Sequence, residues 1–199
     1  MLKIAVLVSG AGRTFINLLD EIDAGNLDVT VEALISTRRV TPALDAAKEK
    51  GIPTHFVSWK TLGVDAASAE VYRLCHGVDM IVTAGFLKFL KILPEWQGRV
   101  LNIHPSLLPL HGGPGFYGLR VHAAVLAAGD KISGCTVHFC DNEYDHGCIV
   151  KQLEVPVMPD DTADILAARI FTMEKMLLPQ VIQSFATGEL TLPFEPDQS

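Results

Sequence analysis

The chain has 199 residues, 49% of them apolar and 20% charged, which suits a globular protein with a core of its own. A formal charge of -7 disfavours a nucleic-acid backbone as partner, and no Lys/Arg run offers a local exception. The longest apolar stretches, such as Ile4–Val8 and Met80–Ala84, are far too short to cross a bilayer, and no small-residue cleavage site follows one, so a cytoplasmic protein without a membrane partner is expected.

In chain order, short β-branched runs alternate with helix-length segments. Lys3–Val8 is predicted as a buried strand, followed by a Gly-rich turn and a helix near Phe15–Ala24. Val31–Ser36 is the second strand, and Pro42–Lys50 a helix closed by Gly51. Thr54–Val57 is predicted as a strand, Ala66–Cys75 as a helix, and Val78–Thr83 and Val100–His104 as further strands. The unbroken apolar character of the first and fourth strands suits strands covered on both faces. Thr136–Cys140 and Ile149–Val155 are later strands joined by a polar loop, and a last helix over Thr162–Ser184 opens with an Asp-Asp-Thr capping region. This rhythm predicts an α/β fold, a doubly wound and mostly parallel sheet with helices on both faces. No repeat, linker or low-complexity segment divides the chain, so 1–199 is expected to form one domain. Cys75, Cys135, Cys140 and Cys148 contain no CxxC pair and are expected to be buried, reduced thiols.

Three segments have the residue types that chemistry requires. Ser9-Gly10-Ala11-Gly12-Arg13-Thr14 follows the first strand, where glycines admit close backbone approach and a helix start offers free N–H groups to a phosphate. It lacks the third glycine of a dinucleotide fingerprint, since residue 15 is Phe, and it has no Gly-Lys-Ser/Thr of a Walker loop, so a plain strand-to-helix turn stays open. Asn102-Ile103-His104-Pro105 ends a strand, and period-two geometry puts Asn102 and His104 on one face. An amide and an imidazole side by side can hydrogen-bond an oxyanion developing on a carbonyl under attack, whereas the bland alternative is a satisfied buried histidine. The Gly/Pro-dense loop between Pro105 and Tyr117 sits past that strand's end, where open α/β sheets bind ligands, and its Leu108–Pro109 bond is a candidate cis peptide. Asp141–Gly147 is an acidic loop between two strands; it is either a solvated hairpin or the source of a carboxylate for His104, which would favour the imidazolium. None of the seven histidines falls in an HxH or HExxH pattern, so no metal is expected.

Asn102-Ile103-His104-Pro105-Ser106-Leu107-Leu108-Pro109, Gly134–Phe139 and Asp145-His146-Gly147, in that order and spacing, resemble the phosphoribosylglycinamide formyltransferase family of the folate-dependent formyltransferase superfamily. The likeness runs from the first strand to the last helix. It implies a Rossmann-like formyltransferase fold and direct formyl transfer from 10-formyltetrahydrofolate, as co-substrate, to the amine of glycinamide ribonucleotide. Asn102, His104 and Asp145 match the family's catalytic trio, and activity is then expected to fall at high pH as His104 loses its proton. Gly12, Arg13 and Thr14 match its phosphate site, and Glu174 its acceptor-binding acid. Leu87, Lys88, Phe89 and Leu90 match the segment lining the pterin pocket, where the alternative is an ordinary apolar helix start. Asn102 also borders that pocket. The basic folate contact has two candidates, Lys60 ahead of Arg73. Many relatives have Gly-Asn-Gly-Ser-Asn where this chain has Gly10–Thr14, a change that keeps the backbone donors and adds the Arg13 charge. The loop 112–118 is also richer in glycine than in some relatives.

Rival readings are a formyltransferase acting on an amino sugar or methionyl-tRNA, a formyltetrahydrofolate hydrolase, and a non-catalytic phosphosugar-binding module on the same fold. Methionyl-tRNA transfer would be expected to bring a further C-terminal domain, and the hydrolase an N-terminal regulatory domain. Oligomeric state stays open, a homodimer included.

Overall fold

In the computed structural model, which describes residues 1–192, β1 (Leu2–Val8) runs through the middle of the molecule with every residue from Ile4 onward fully buried. Alternation assigns its side chains to two cores. Ile4, Val6 and Val8 point into one cluster, and Ala5 and Leu7 into the other. A strand covered on both faces needs this continuous apolar run.

The remaining elements are α1 (Arg13–Asp23), β2 (Val29–Ser36), α2 (Pro42–Glu49), β3 (Thr54–Phe56), α3 (Trp59–Leu74), β4 (Met80–Thr83), a single 3-10 turn (Pro94–Trp96), β5 (Val100–His104), α4 (Leu119–Ala128), β6 (Ile132–Phe139), β7 (Ile149–Pro156) and α5 (Ala163–Ala186). They build one sheet in the order β3-β2-β1-β4-β5-β6-β7. Pairings through β5 are parallel, and β6 is antiparallel to both of its neighbours. Apolar residues of α1, α2, α4 and α5 pack on one face, and those of α3 on the other. The expected doubly wound, mostly parallel architecture is therefore present.

Strand order reverses between β1 and β4, and a crevice opens at that point beyond their C-terminal ends. α1 fixes one wall of it: Phe15, Leu18 and Leu19 bury against the sheet, each stabilising the fold by roughly 1.5–3 kcal/mol. α5 fixes another wall. Pro179 within it has no N–H to bond the carbonyl of Lys175, and Asn17 of α1 donates its Nδ2 to that oxygen at 3.0 Å. The two helices that flank the crevice are thus tied together.

Several expectations are revised. α3 begins at Trp59 rather than Ala66, because Ser58 caps an earlier turn by accepting from the Thr61 amide at 3.3 Å. The two pieces join at Gly63, whose φ of 74° breaks the helical run and hides it from periodicity. Periodicity predicts no helix at α4, whose apolar-rich stretch follows the Gly/Pro loop without an N-cap residue; Gly118 stands there instead. β6 extends back to Ile132. All four cysteines are unpaired and Cys75 and Cys135 are buried, but Cys140 is half-buried and Cys148 is exposed because it lies in the turn ahead of the edge strand β7. The Leu108–Pro109 bond is cis. Among the described residues no helix is long and apolar enough to cross a membrane.

Candidate active site

The crevice is a cavity of about 600 Å³ running from Gly10–Thr14 past Ala84–Leu87 to Asn102, His104 and Asp145, with Glu174 and Phe171 of α5 on one wall. Its first end is the N-terminus of α1. No side chain caps that helix and no acidic residue sits in its first turn, so its free N–H groups are open to an anion. Gly12 adopts φ 76°, and a Cβ there would overlap Cβ of Ala43 in α2. Glycine is needed at this position for backbone shape and for space. Arg13 projects over the Phe171 ring, 4.4 Å from its centroid, at the same end. Glu174 lies nearby; burial pushes its carboxyl up to about 7, and Arg13 partly opposes that shift.

At the other end β5 presents Asn102 and His104 on one face, while Ile103 points into the opposite core. Asp145 arrives from the β6–β7 loop. Asp141 folds that loop by accepting from the Glu143 amide (2.8 Å) and pairing with His146 (2.7 Å), and Gly147 has no room for a side chain against the Phe139 carbonyl. Asp145 itself sits at φ 52°. Its Oδ1 is 3.4 Å from Nδ1 of His104, and the two side chains are 13% and 5% exposed. Nε2 of His104 faces the carbonyl of His111 at 2.9 Å. Both ring nitrogens therefore meet oxygen acceptors, an arrangement that the doubly protonated imidazolium satisfies in full.

Asn102 is held from two sides. Its Oδ1 accepts from the Thr83 hydroxyl (2.7 Å), and its Nδ2 meets Nε2 of His138 (3.0 Å). His138 bonds the Phe139 carbonyl through Nδ1 at 3.0 Å, and burial pushes its pKa down. The neutral ring thus donates from Nδ1 and accepts at Nε2, which keeps the Asn102 amide turned one way. The β5–β6 register places Asn102 opposite His138 and His104 opposite Thr136. An antiparallel neighbour for β5 is the signal that would have located His138, and strand pattern alone does not supply it. His122 is a second histidine that sequence reasoning passed over; it lines the cavity, its Nδ1 has no partner, and burial lowers its pKa.

A smaller pocket of about 70 Å³ opens beside Asn102 and is lined by Lys88, Phe89 and Leu90 with Tyr144 and Asp145. The segment 84–93 is irregular, not a helix start. Its backbone is pinned from several sides: Ser9 accepts from the Leu87 amide (3.0 Å), Trp59 donates to the Phe89 carbonyl (2.9 Å), and Asn142 bonds both backbone groups of Ile92. Leu87 lines the main cavity. Lys60 and Arg73 line neither space. Lys60 is exposed next to Trp59, and Arg73 is committed to Glu70 at 2.6 Å. Among the described residues no cluster of three or more His, Cys, Asp or Glu side chains forms a potential metal site.

An uncapped helix start joined by one cavity to an amide, an imidazole and a carboxylate is the layout of a group-transfer enzyme in a doubly wound sheet. The chain belongs to the formyl transferase family, whose model matches residues 2–182. It is 36% identical over 198 residues to phosphoribosylglycinamide formyltransferase of Haemophilus influenzae, covering 96% of this chain and 91% of that protein. The chloroplastic phosphoribosylglycinamide formyltransferase of Vigna unguiculata is 35% identical over 187 residues, and the match spans 92% of this chain but only 60% of the relative's length. Among solved structures, glycinamide ribonucleotide transformylase 1 of Symbiobacterium toebii superposes with a TM-score of 0.86 at 33% identity, over 96% of this chain and 90% of that one.

Proposed function

We propose that this chain transfers a formyl group from 10-formyltetrahydrofolate to the amine of glycinamide ribonucleotide, a step of de novo purine biosynthesis. The observation that carries this reading is His104 facing Asp145 at 3.4 Å in a cavity that ends on the uncapped start of α1. The names of the relatives support the choice of acceptor.

In this reading Gly12, Arg13 and Thr14 bind the phosphate of the acceptor, and Glu174 binds the acceptor between phosphate and amine. Leu87, Lys88, Phe89 and Leu90, with Asn102, hold the pterin where the smaller pocket adjoins the main cavity. Lys60 meets the acidic tail of the folate; Trp59, its neighbour, already ties the start of α3 to the pocket wall. The amine nitrogen attacks the formyl carbon and a C–N bond forms while charge develops on the carbonyl oxygen. Asn102 Nδ2–H and His104 Nδ1–H donate to that oxygen, with the Asp145 carboxylate facing the His104 ring. The C–N10 bond then breaks; the nucleophile loses a proton, assisted by Asp145, and N10 gains one from His104. A polar role of this kind is typically worth about 10²–10⁴ in rate. The chain acts as a single formyltransferase domain in the cytoplasm, with small-molecule substrates and without nucleic acid or a membrane partner.

Formyl transfer to glycinamide ribonucleotide, an amino sugar and methionyl-tRNA, followed with purified protein, tests the proposal. Turnover with glycinamide ribonucleotide should exceed the others by orders of magnitude. Release of formate without any acceptor at the same rate would favour the hydrolase instead.

A further inference from the structure

Three consecutive residues outside the trio connect its two ionisable members. The carbonyl of His111 faces Nε2 of His104 at 2.9 Å, and the amide of Gly113 donates to Oδ2 of Asp145 at 2.9 Å. Gly112 lies between them. A Cβ on it would stand 2.5 Å from Leu108 Cδ2 and 3.1 Å from Asp145 Cβ, too close for either neighbour to remain in place. The Leu108 backbone is fixed, so relief requires turning its side chain within the core. Leu108 is buried, its amide donates to Thr136 Oγ1 at 3.1 Å, and its carbonyl accepts from Gln152 at 3.0 Å. Oδ1 of Asp145 and Nδ1 of His104 are the atoms that this backbone leaves to face each other.

The shape of the tripeptide depends on His111. Its φ of 54° is the left-handed conformation, uncommon for a residue with a side chain. The side chain is anchored in return: Nε2 lies 2.6 Å from Asp130 Oδ2, and the ring leans on Phe116 at 6.3 Å between centroids. Asp130 directly follows Gly129, which closes α4. The anchor therefore runs from the end of a helix, through a partly buried pair, to the backbone that meets both His104 and Asp145.

We propose that His111–Gly113, anchored by Asp130, is the positioning element of the site. It takes up the Nε2–H of His104 on a backbone carbonyl and so commits Nδ1 as the nitrogen that works on substrate, while the Gly113 amide turns Asp145 so that Oδ1 faces that nitrogen. Both oxygens facing the ring are acceptors, but the carbonyl is within hydrogen-bond distance of Nε2 at 2.9 Å while Asp145 Oδ1 stands 3.4 Å from Nδ1, so the neutral ring keeps its one proton on Nε2. His111, Gly112 and Asp130 are positioning residues that act through the pair and not on the substrate. The catalytic part of this inference rests on the formyl-transfer reading; the tautomer part does not.

Ring nitrogen NMR of ¹⁵N-histidine protein at high pH, paired with steady-state kinetics, tests it. Wild type should show the Nε2–H tautomer for the neutral His104 ring. Gly112→Ala should give a mixture of tautomers and lower kcat at least tenfold, with KM for both substrates changed less than about threefold, the signature of a misdirected pair rather than a lost binding contact. Asp130→Asn, which adds no bulk, should shift the same two readouts in the same direction and decides the matter if Gly112→Ala does not fold. His111→Gly keeps the carbonyl but removes the side chain that Asp130 holds, and it should shift both readouts as Asp130→Asn does. An Nδ1–H tautomer in wild type, or an unchanged tautomer and kcat in folded Gly112→Ala or in Asp130→Asn, would overturn the proposal. His104→Ala in the same kinetic assay separates the two readings: if it leaves transfer intact, the catalytic reading fails, while the wild-type tautomer still decides the role of the positioning element.

Discussion

Asn102 and His138 meet across the antiparallel β5–β6 pair, Nδ2 to Nε2 at 3.0 Å. Because Nδ1 of His138 is committed to the Phe139 carbonyl and burial disfavours its charge, Nε2 is an acceptor and holds the Asn102 amide with its nitrogen toward the histidine. His138→Leu removes that acceptor while keeping the core apolar. Loss of one buried hydrogen bond of this kind is worth about 0.5–1.5 kcal/mol, so kcat should fall roughly three- to tenfold. Thr83→Val releases the amide from its other side and should behave alike. Steady-state kinetics on the two variants and the double mutant check this, with the double less than additive if both act through Asn102.

Glu174 gives the pH dependence. Its carboxyl sits near 7 in the folded chain against an ordinary 4.5, so between these values the folded state keeps a proton that the unfolded state has lost. Stability contributed at this position is therefore highest below about 4.5, declines as pH rises through this window, and levels off above about 7. Glu174→Gln should raise Tm by several degrees at pH 8 and by little at pH 5, the gain being on the order of 1–3 kcal/mol. Thermal melts of ligand-free protein measure it. Acceptor binding should move the other way in wild type, tightening as Glu174 ionises, and Glu174→Gln should abolish that trend.

Gly12 tests the anion end of the cavity. Gly12→Ala places a Cβ against Ala43 and forces an alanine into φ 76°. The backbone conformation alone costs about 1–2 kcal/mol. Adding Ala43→Gly should recover the part due to overlap but not the part due to backbone. The phosphate-bearing acceptor should bind at least tenfold more weakly to the single variant, with the folate affinity changed little, as isothermal titration can show.

These elements also mark what is legible in the sequence. The apolar run of β1, the glycine turn behind it and the Asn102/His104 pair follow from strand period and turn chemistry, and the structure has them where periodicity put them. That Asp145 reaches His104 does not follow from local pattern, because it depends on β6 lying antiparallel beside β5 and on the turn geometry set by Asp141 and Gly147. His138 and the His111–Gly113 segment were hidden for the same reason: their partners are set by sheet register and by a left-handed residue, neither of which has a one-dimensional signature. α3 was half read because Gly63 interrupts its period.

Asp145 offers a direct check on the proton balance. Asp145→Asn is nearly isosteric, keeps an oxygen for the Gly113 amide and removes the charge facing His104. Turnover should fall about 10²–10⁴-fold, while the affinities for both substrates change far less.

The convergence of an amide, an imidazole and a carboxylate on one carbonyl is tested most directly by a single turnover. Enzyme in excess, with 10-formyltetrahydrofolate and glycinamide ribonucleotide bound to saturation, should formylate the amine in wild type and do so at least about 10²-fold more slowly in His104→Ala. Equal single-turnover rates in the two proteins, with binding intact, would contradict the role assigned to the site.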